Sequence, residues 1–240
     1  GSYGFSGPWT RKLHLRGYPT DQARPARLAA WTLAPKPGPD AALQPFHIPT
    51  GRLPYGGDAM EARTALFYGL NTTLSVVKPQ RSMPAATFFR NGEKHELWFV
   101  QEGDGTLASE YGSLTFRTGH YLVVPKGTTY RIELASRRAY FVLIESRWPV
   151  GFPGRYLNTA GQASLSSPVV ETQAEAPVLG APVDRAGRFP LFVKHDGGRV
   201  SELTLARHPF DLTGWEGSLF PFAFHISDHH GIAKATHAAP

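Results

Sequence analysis

Residues able to bind a metal or move a proton fall in two places in this sequence. One is the stretch NGEKHELWFVQEGDG, in which His95 directly precedes Glu96. The other is the C-terminal part, with His195, His208, His225, His229, His230 and His237, closing on FHISDHHGIAKATHAAP. Imidazoles and carboxylates suit divalent transition metals, and spacing decides how far that chemistry goes. Adjacent strand residues face opposite sides, so His95 and Glu96 do not converge easily on one ion. Glu96 is therefore expected to be a structural carboxylate tied into hydrogen bonds. In the C-terminal part His229 and His230 are consecutive, no His-Glu-x-x-His spacing exists, and Asp228 is the single carboxylate with convincing ligand spacing. Loop histidines in water account for that segment at least as well as a metal site does.

The elements that would position these residues are mostly strands. The first fifty residues are irregular, with Pro at 8, 19, 25, 35, 37, 39, 45 and 49, and residues 1–63 read as an extended arm wrapped on a core. From there the pattern changes to ALFYGL, TTLSVV, ATFF, ELWFV, GTLAS, GSLTF, YLVVP, YRIEL and AYFVLIE. These runs have strand length, β-branched and aromatic enrichment, and Gly or Asp-Gly punctuation, which predicts an antiparallel β-barrel or jelly roll over 64–148. Residues 149–188 turn to Gly, Pro, Ala and Ser and read as a surface connector. A second β region over 189–240 begins with PLFVKH and VSELTLA. The expected class is mainly β.

Composition excludes several alternatives. With 240 residues, 41% apolar content, 21 Pro and 25 Gly, the chain is neither disordered, fibrous nor a coiled coil. Absence of cysteine rules out disulfides and thiolate sites. The net charge of +6 is scattered, without a basic block interleaved with aromatics, so no nucleic-acid partner is expected. The strongest apolar run, residues 140–144, is far too short for a membrane helix, and the N-terminal GSYGFSG lacks a signal-peptide layout. A reducing cytoplasm is compatible with these features.

The barrel stretches resemble cupins. A metal-binding cupin carries His-x-His followed by Glu and Gly in its first motif, and Pro-x-Gly followed by His in its second, so that alternate residues meet on one inward face. Here Glu96 and Gly103 match the first motif, but Phe89, Arg90, Asn91 and Gly92 stand where its histidines would be. In GHYLVVPKGTTYRIEL, Tyr130 takes the place of the last histidine. The first barrel is therefore expected to be a metal-free scaffold.

FFRNGEKHELWFVQEGDGTLASEYGSLTFRTGHYLVVPKGTTYR, then FPLFVKHDGG, then HPFDLTGWEGSLFPFAFHI and the terminal THAAP, resemble homogentisate 1,2-dioxygenases in order and approximate spacing. The bacterial branch is the better match, and the similarity runs over about 4–240, weakly in the arm. The resemblance implies a cytoplasmic Fe(II) enzyme of tyrosine and phenylalanine catabolism. Its substrates would be dioxygen and a small aromatic acid, homogentisate, which it converts to maleylacetoacetate. It also implies a homo-oligomer, a trimer or a hexamer, with no membrane partner. His237 of THAAP stands where the family has the histidine that assists deprotonation of the ring hydroxyl. The family's iron ligands, two histidines and a glutamate, belong to sequence expected beyond Pro240, so this chain is expected to bind no iron. A non-catalytic cupin module that binds a small acid or a protein partner is the alternative.

Overall fold

The computed structural model describes residues 7–19, 23, 27–36, 45, 47–159, 162, 167 and 173–228. Among them the chain forms β1 (Thr10–His14), β2 (Arg27–Leu28), β3 (Arg63–Tyr68), β4 (Thr72–Val77) and β5 (Phe88–Asn91). These are followed by β6 (His95–Glu102), β7 (Gly105–Ser109), β8 (Gly112–Phe116), β9 (His120–Val124), β10 (Thr129–Leu134) and β11 (Tyr140–Ser146). After the connector come β12 (Ala186–His195), β13 (Arg199–Arg207), β14 (Leu212–Gly217) and β15 (Phe222–His225).

Alternation makes these strands a sandwich. Along β6, Glu96, Trp98 and Val100 are fully buried while Leu97 and Phe99 are only partly covered. Along β11, Phe141 and Leu143 are fully buried and Ile144 is exposed. Two sheets face each other across the buried residues, in the orders β15-β9-β6-β11-β4-β3 and β2-β13-β12-β5-β10-β7-β8. Following the chain, β6, β9 and β11 enter the first sheet, and β7, β8 and β10 enter the second. This is the cupin-type jelly roll expected over 64–148, built as two facing sheets that do not close into one barrel.

The later strands join these same sheets. β12 runs parallel to β5 with Phe192 opposite Phe89, and β13 returns antiparallel to β12. β15 extends the other sheet by pairing with β9, and β14 pairs with β1 of the N-terminal arm. Most of the main core lies between the sheets, where Trp98, Phe89, Tyr130, Phe141, Leu107 and Ile132 are buried. A smaller cluster of Phe88, Phe189, Leu191 and Leu205 packs β12 and β13 against β5. Burial of each large apolar side chain contributes about 1.5–3 kcal/mol.

Two glycines hold close approaches. A Cβ on Gly105 would stand 2.1 Å from the Glu133 carbonyl oxygen, where β7 begins against β10. Gly112 has φ of 113°, and a Cβ there would lie 2.3 Å from the carbonyl oxygen of Val178, a connector residue that bridges to Ser113. Among the described residues no helix is long and apolar enough to cross a membrane.

Candidate functional site

The chemistry expected at Glu96 and Tyr130 can be located on this frame. Glu96 points inward from β6 and Tyr130 inward from β10, and both are almost completely buried. Between them lies Arg63, the first residue of β3. Its Nη1 donates to Glu96 Oε1 at 2.9 Å and its Nη2 to the Tyr130 hydroxyl oxygen at 2.8 Å. The Tyr130 hydroxyl in turn donates to Glu96 Oε2 at 2.6 Å. The guanidinium carbon lies 4.4 Å from the Phe89 ring and 5.0 Å from the Trp98 ring, so aromatic faces add to the charge stabilisation.

Glu96 has no acceptor capacity left. Oε1 also accepts from Asn91 Nδ2 at 3.0 Å, and Oε2 from Trp98 Nε1 at 3.3 Å. Four donors thus occupy the roughly four lone-pair sites of a carboxylate. Asn91 also donates to Glu145 Oε1 at 2.6 Å, and Lys194 of β12 donates to the same oxygen at 2.6 Å. The result is a network of two carboxylates, two cations, one amide, one phenol and one indole inside the sandwich.

The network sets its own charge states. Burial disfavours the Arg63 charge, but Tyr130, Glu96 and Glu145 outweigh it and hold the guanidinium proton above its ordinary range. Burial and the adjacent Glu96 push the Tyr130 phenol well above its ordinary value despite Arg63, so it stays protonated and donates. Burial pushes Glu145 up, but Lys194, Arg63 and the Asn91 hydrogen bond bring it below the usual carboxylate range.

These residues do not fit a metal. Glu96 is saturated, Tyr130 is a protonated donor, and a guanidinium lies between them. His95, one residue from Glu96, turns the other way and accepts the Lys126 backbone N–H at Nδ1. Burial, with Lys126 adding to it, lowers His95 to about 4, so it is neutral at physiological pH. Among the described residues no group of three His, Cys, Asp or Glu side chains is placed to hold a metal ion.

The histidines toward the C-terminus have separate surroundings. His195 bonds Ser201 Oγ at 2.7 Å across the β12–β13 hairpin. His208 sits among Phe88, Phe189 and Phe210, with ring centroids 5.1 to 5.2 Å away, and burial lowers it to about 4, helped by Arg185 and Arg131. His225 accepts from Arg117 Nη1 at 2.7 Å and meets the His120 ring at 4.8 Å. His229, His230 and His237 lie outside the described residues.

Arg63, Glu145 and Lys194 escape a motif-based reading because each belongs to no spaced motif and its partners lie tens of residues away. Asn91 had a usable signal, since it stands among the positions where a cupin would carry its histidines. There it supplies amide hydrogen bonds in place of imidazole ligation.

Comparison with known proteins agrees with the sequence resemblance. The model of a family described as homogentisate 1,2-dioxygenase N-terminal matches residues 62–226, well over half of the chain. A curated protein of Saccharolobus solfataricus named "Putative dioxygenase" is 30% identical over 100% of this chain and 60% of its own length. A homogentisate 1,2-dioxygenase of Bradyrhizobium diazoefficiens is 25% identical over 65% of this chain and 36% of its own length. The chain thus spans less than two thirds of these relatives. Among solved structures, a cupin-2 domain containing protein from Shewanella frigidimarina aligns with a TM-score of 0.31 at 19% identity, covering 35% of this chain and 79% of its own.

Proposed function

The chain belongs to the homogentisate 1,2-dioxygenase N-terminal family, and from that premise we propose that it is the scaffold portion of an Fe(II)-dependent enzyme that opens the ring of homogentisate to maleylacetoacetate. The single observation that carries this reading is the Arg63–Glu96–Tyr130 triangle. A guanidinium neutralises the Glu96 carboxylate and a phenol stands in place of an imidazole, so the interior is fixed by its own side chains. A metal-free jelly roll, the catalytic iron held by a ligand set other than Glu96, His95 and Tyr130, and a trimeric or hexameric cytoplasmic assembly all form part of the proposal. His237 is assigned, on the family resemblance, as the base that takes the ring-hydroxyl proton.

The test measures oxygen uptake with homogentisate, Fe(II) and ascorbate, together with iron content. The 240-residue chain is expected to hold well under one iron per chain and to consume no oxygen. A polypeptide of the relatives' full length is expected to turn over. In it, His237→Ala lowers ring cleavage by about two to four orders of magnitude at unchanged iron content. Turnover by the 240-residue chain itself would overturn the scaffold reading, and loss of iron in the variant would make His237 a ligand.

A further inference from the structure

Where the N-terminal arm meets the sandwich, Lys12, His14 and Tyr18 of the arm face Arg90 of β5 and Glu110 of the β7–β8 turn across a cavity of about 190 Å³. The polar groups lining it are unequally satisfied. His14 Nδ1 lies 2.6 Å from Asp211 Oδ1, with both side chains almost completely buried, so Nε2 is the ring nitrogen left for another group. Lys12 Nζ donates to Glu110 Oε1 at 2.7 Å, and the same oxygen accepts the Thr129 backbone N–H at 2.8 Å. Burial raises the Glu110 carboxyl, but Lys12 and Arg90 outweigh it and hold it ionised below its usual range.

Arg90 is the exception. Its Nε and Nη2 both point to the Thr129 hydroxyl oxygen, at 3.0 and 2.6 Å, and it forms no ion pair among the described residues. A guanidinium carries five N–H donors in a planar fork suited to two oxygens of one anion. Three of those donors have no hydrogen-bond partner among the described residues, in a cavity where Lys12 keeps further N–H groups and Tyr18 brings a hydroxyl.

We propose that this cavity is a binding site for a small oxyanion, a carboxylate or phosphate group, held by the free edge of the Arg90 guanidinium with Lys12 and His14 Nε2 completing its shell. The volume is below the roughly 300–1,000 Å³ of sites for drug-sized ligands, which limits the occupant to a small anion or to the anionic end of a longer molecule. Because the lining comes from both the arm and the sandwich, the bound anion joins the two and stabilises the folded chain by mass action. The site goes beyond the dioxygenase reading and does not depend on it.

Thermal unfolding of the 240-residue chain tests this in two titrations at constant ionic strength, one with inorganic phosphate and one with acetate, against chloride. At about ten times the half-saturating concentration the midpoint should rise by about 3–5 °C. A rise with phosphate alone, with acetate alone or with both supports the site and names its chemistry. Arg90→Gln, which can still reach Thr129, should abolish the rise. No rise with either anion, or an equal rise in the variant, overturns the proposal. NMR of the unmodified chain gives an independent readout should the variant fail to fold. Saturating shifts at the Gly127 and Thr129 amides are expected, and shifts confined to other regions refute the site.

Discussion

The sandwich interior and the seam between arm and sandwich both bury charged side chains, but the two groups are in different states of completion. Inside, Glu96 accepts four hydrogen bonds and the Arg63 guanidinium is enclosed by Glu96, Tyr130 and two aromatic rings. At the seam, the Thr129 hydroxyl is the one hydrogen-bond acceptor of Arg90 among the described residues, and a cavity lies beside it. A saturated network in a packed interior fixes one arrangement and offers nothing to a ligand. An under-satisfied cation beside a void keeps donors available. The cupin-like signal of Glu96 and Tyr130 therefore leads to the most inert polar cluster in this comparison, and residues without a motif form the receptive one.

Breaking the interior should have the largest effect. Arg63→Met leaves Glu96 as an uncompensated buried charge, and removal of one partner of such a pair typically costs about 3–5 kcal/mol. Urea unfolding at neutral pH should show this loss. Adding Glu96→Gln to Arg63→Met should recover part of it, because the remaining carboxamide no longer carries charge. Full additivity of the two substitutions would mean that the pair is not coupled as the geometry indicates.

Acid should separate the two regions next. His95 and His208 titrate at about 4 in the folded chain, and an unfolded histidine titrates near 6.5. Between those values the unfolded state binds more protons, so stability rises with pH across the window and is lost as pH falls through it. Each histidine is expected to remove about 2–3 kcal/mol by pH 4. The seam carboxylate Glu110 has the opposite chemistry but the same direction. Its depressed value contributes stability above the ordinary carboxylate range, which disappears only as pH falls below that range. Urea midpoints measured from pH 7 to pH 3 should thus fall first with the histidines and then with the seam. A flat profile from pH 7 to pH 4.5 would show that neither histidine is held neutral.

Much of the fold was legible in the sequence because its signals are local. The runs from ALFYGL to AYFVLIE became β3 to β11, since alternation and Gly or Pro punctuation act within a few residues. The parallel pairing of β12 with β5 was not legible. Its partners are about a hundred residues apart, beyond the reach of alternation and turn signals. The site divides in the same way. Glu96 was expected as a hydrogen-bonded structural carboxylate, and its four donors are present, but a lone Arg63 in MEARTALFYGL carries no pattern that points to Glu96. Only the folded register brings them together. His237 lies outside the described residues, so its assignment still rests on the resemblance.

The smallest effect completes the comparison, because the molecule contains a control for Arg63. Arg27 of β2 and Glu202 of β13 form an ion pair at 2.9 Å, the same separation as Arg63 and Glu96. Side-chain exposure differs: 77% and 22% for the outer pair against 5% and 0% for the inner one. Water and salt screen the outer pair, and ordering two long side chains offsets much of its attraction, so exposed pairs contribute about 0–1 kcal/mol. Arg27→Met should change the unfolding free energy from urea denaturation by no more than about 0.5 kcal/mol, and salt should erase even that. The same substitution at Arg63 should be several-fold costlier and insensitive to salt. Equal costs at the two positions would mean that charge separation alone, and not burial with saturated hydrogen bonding, determines what an arginine–glutamate pair contributes in this fold.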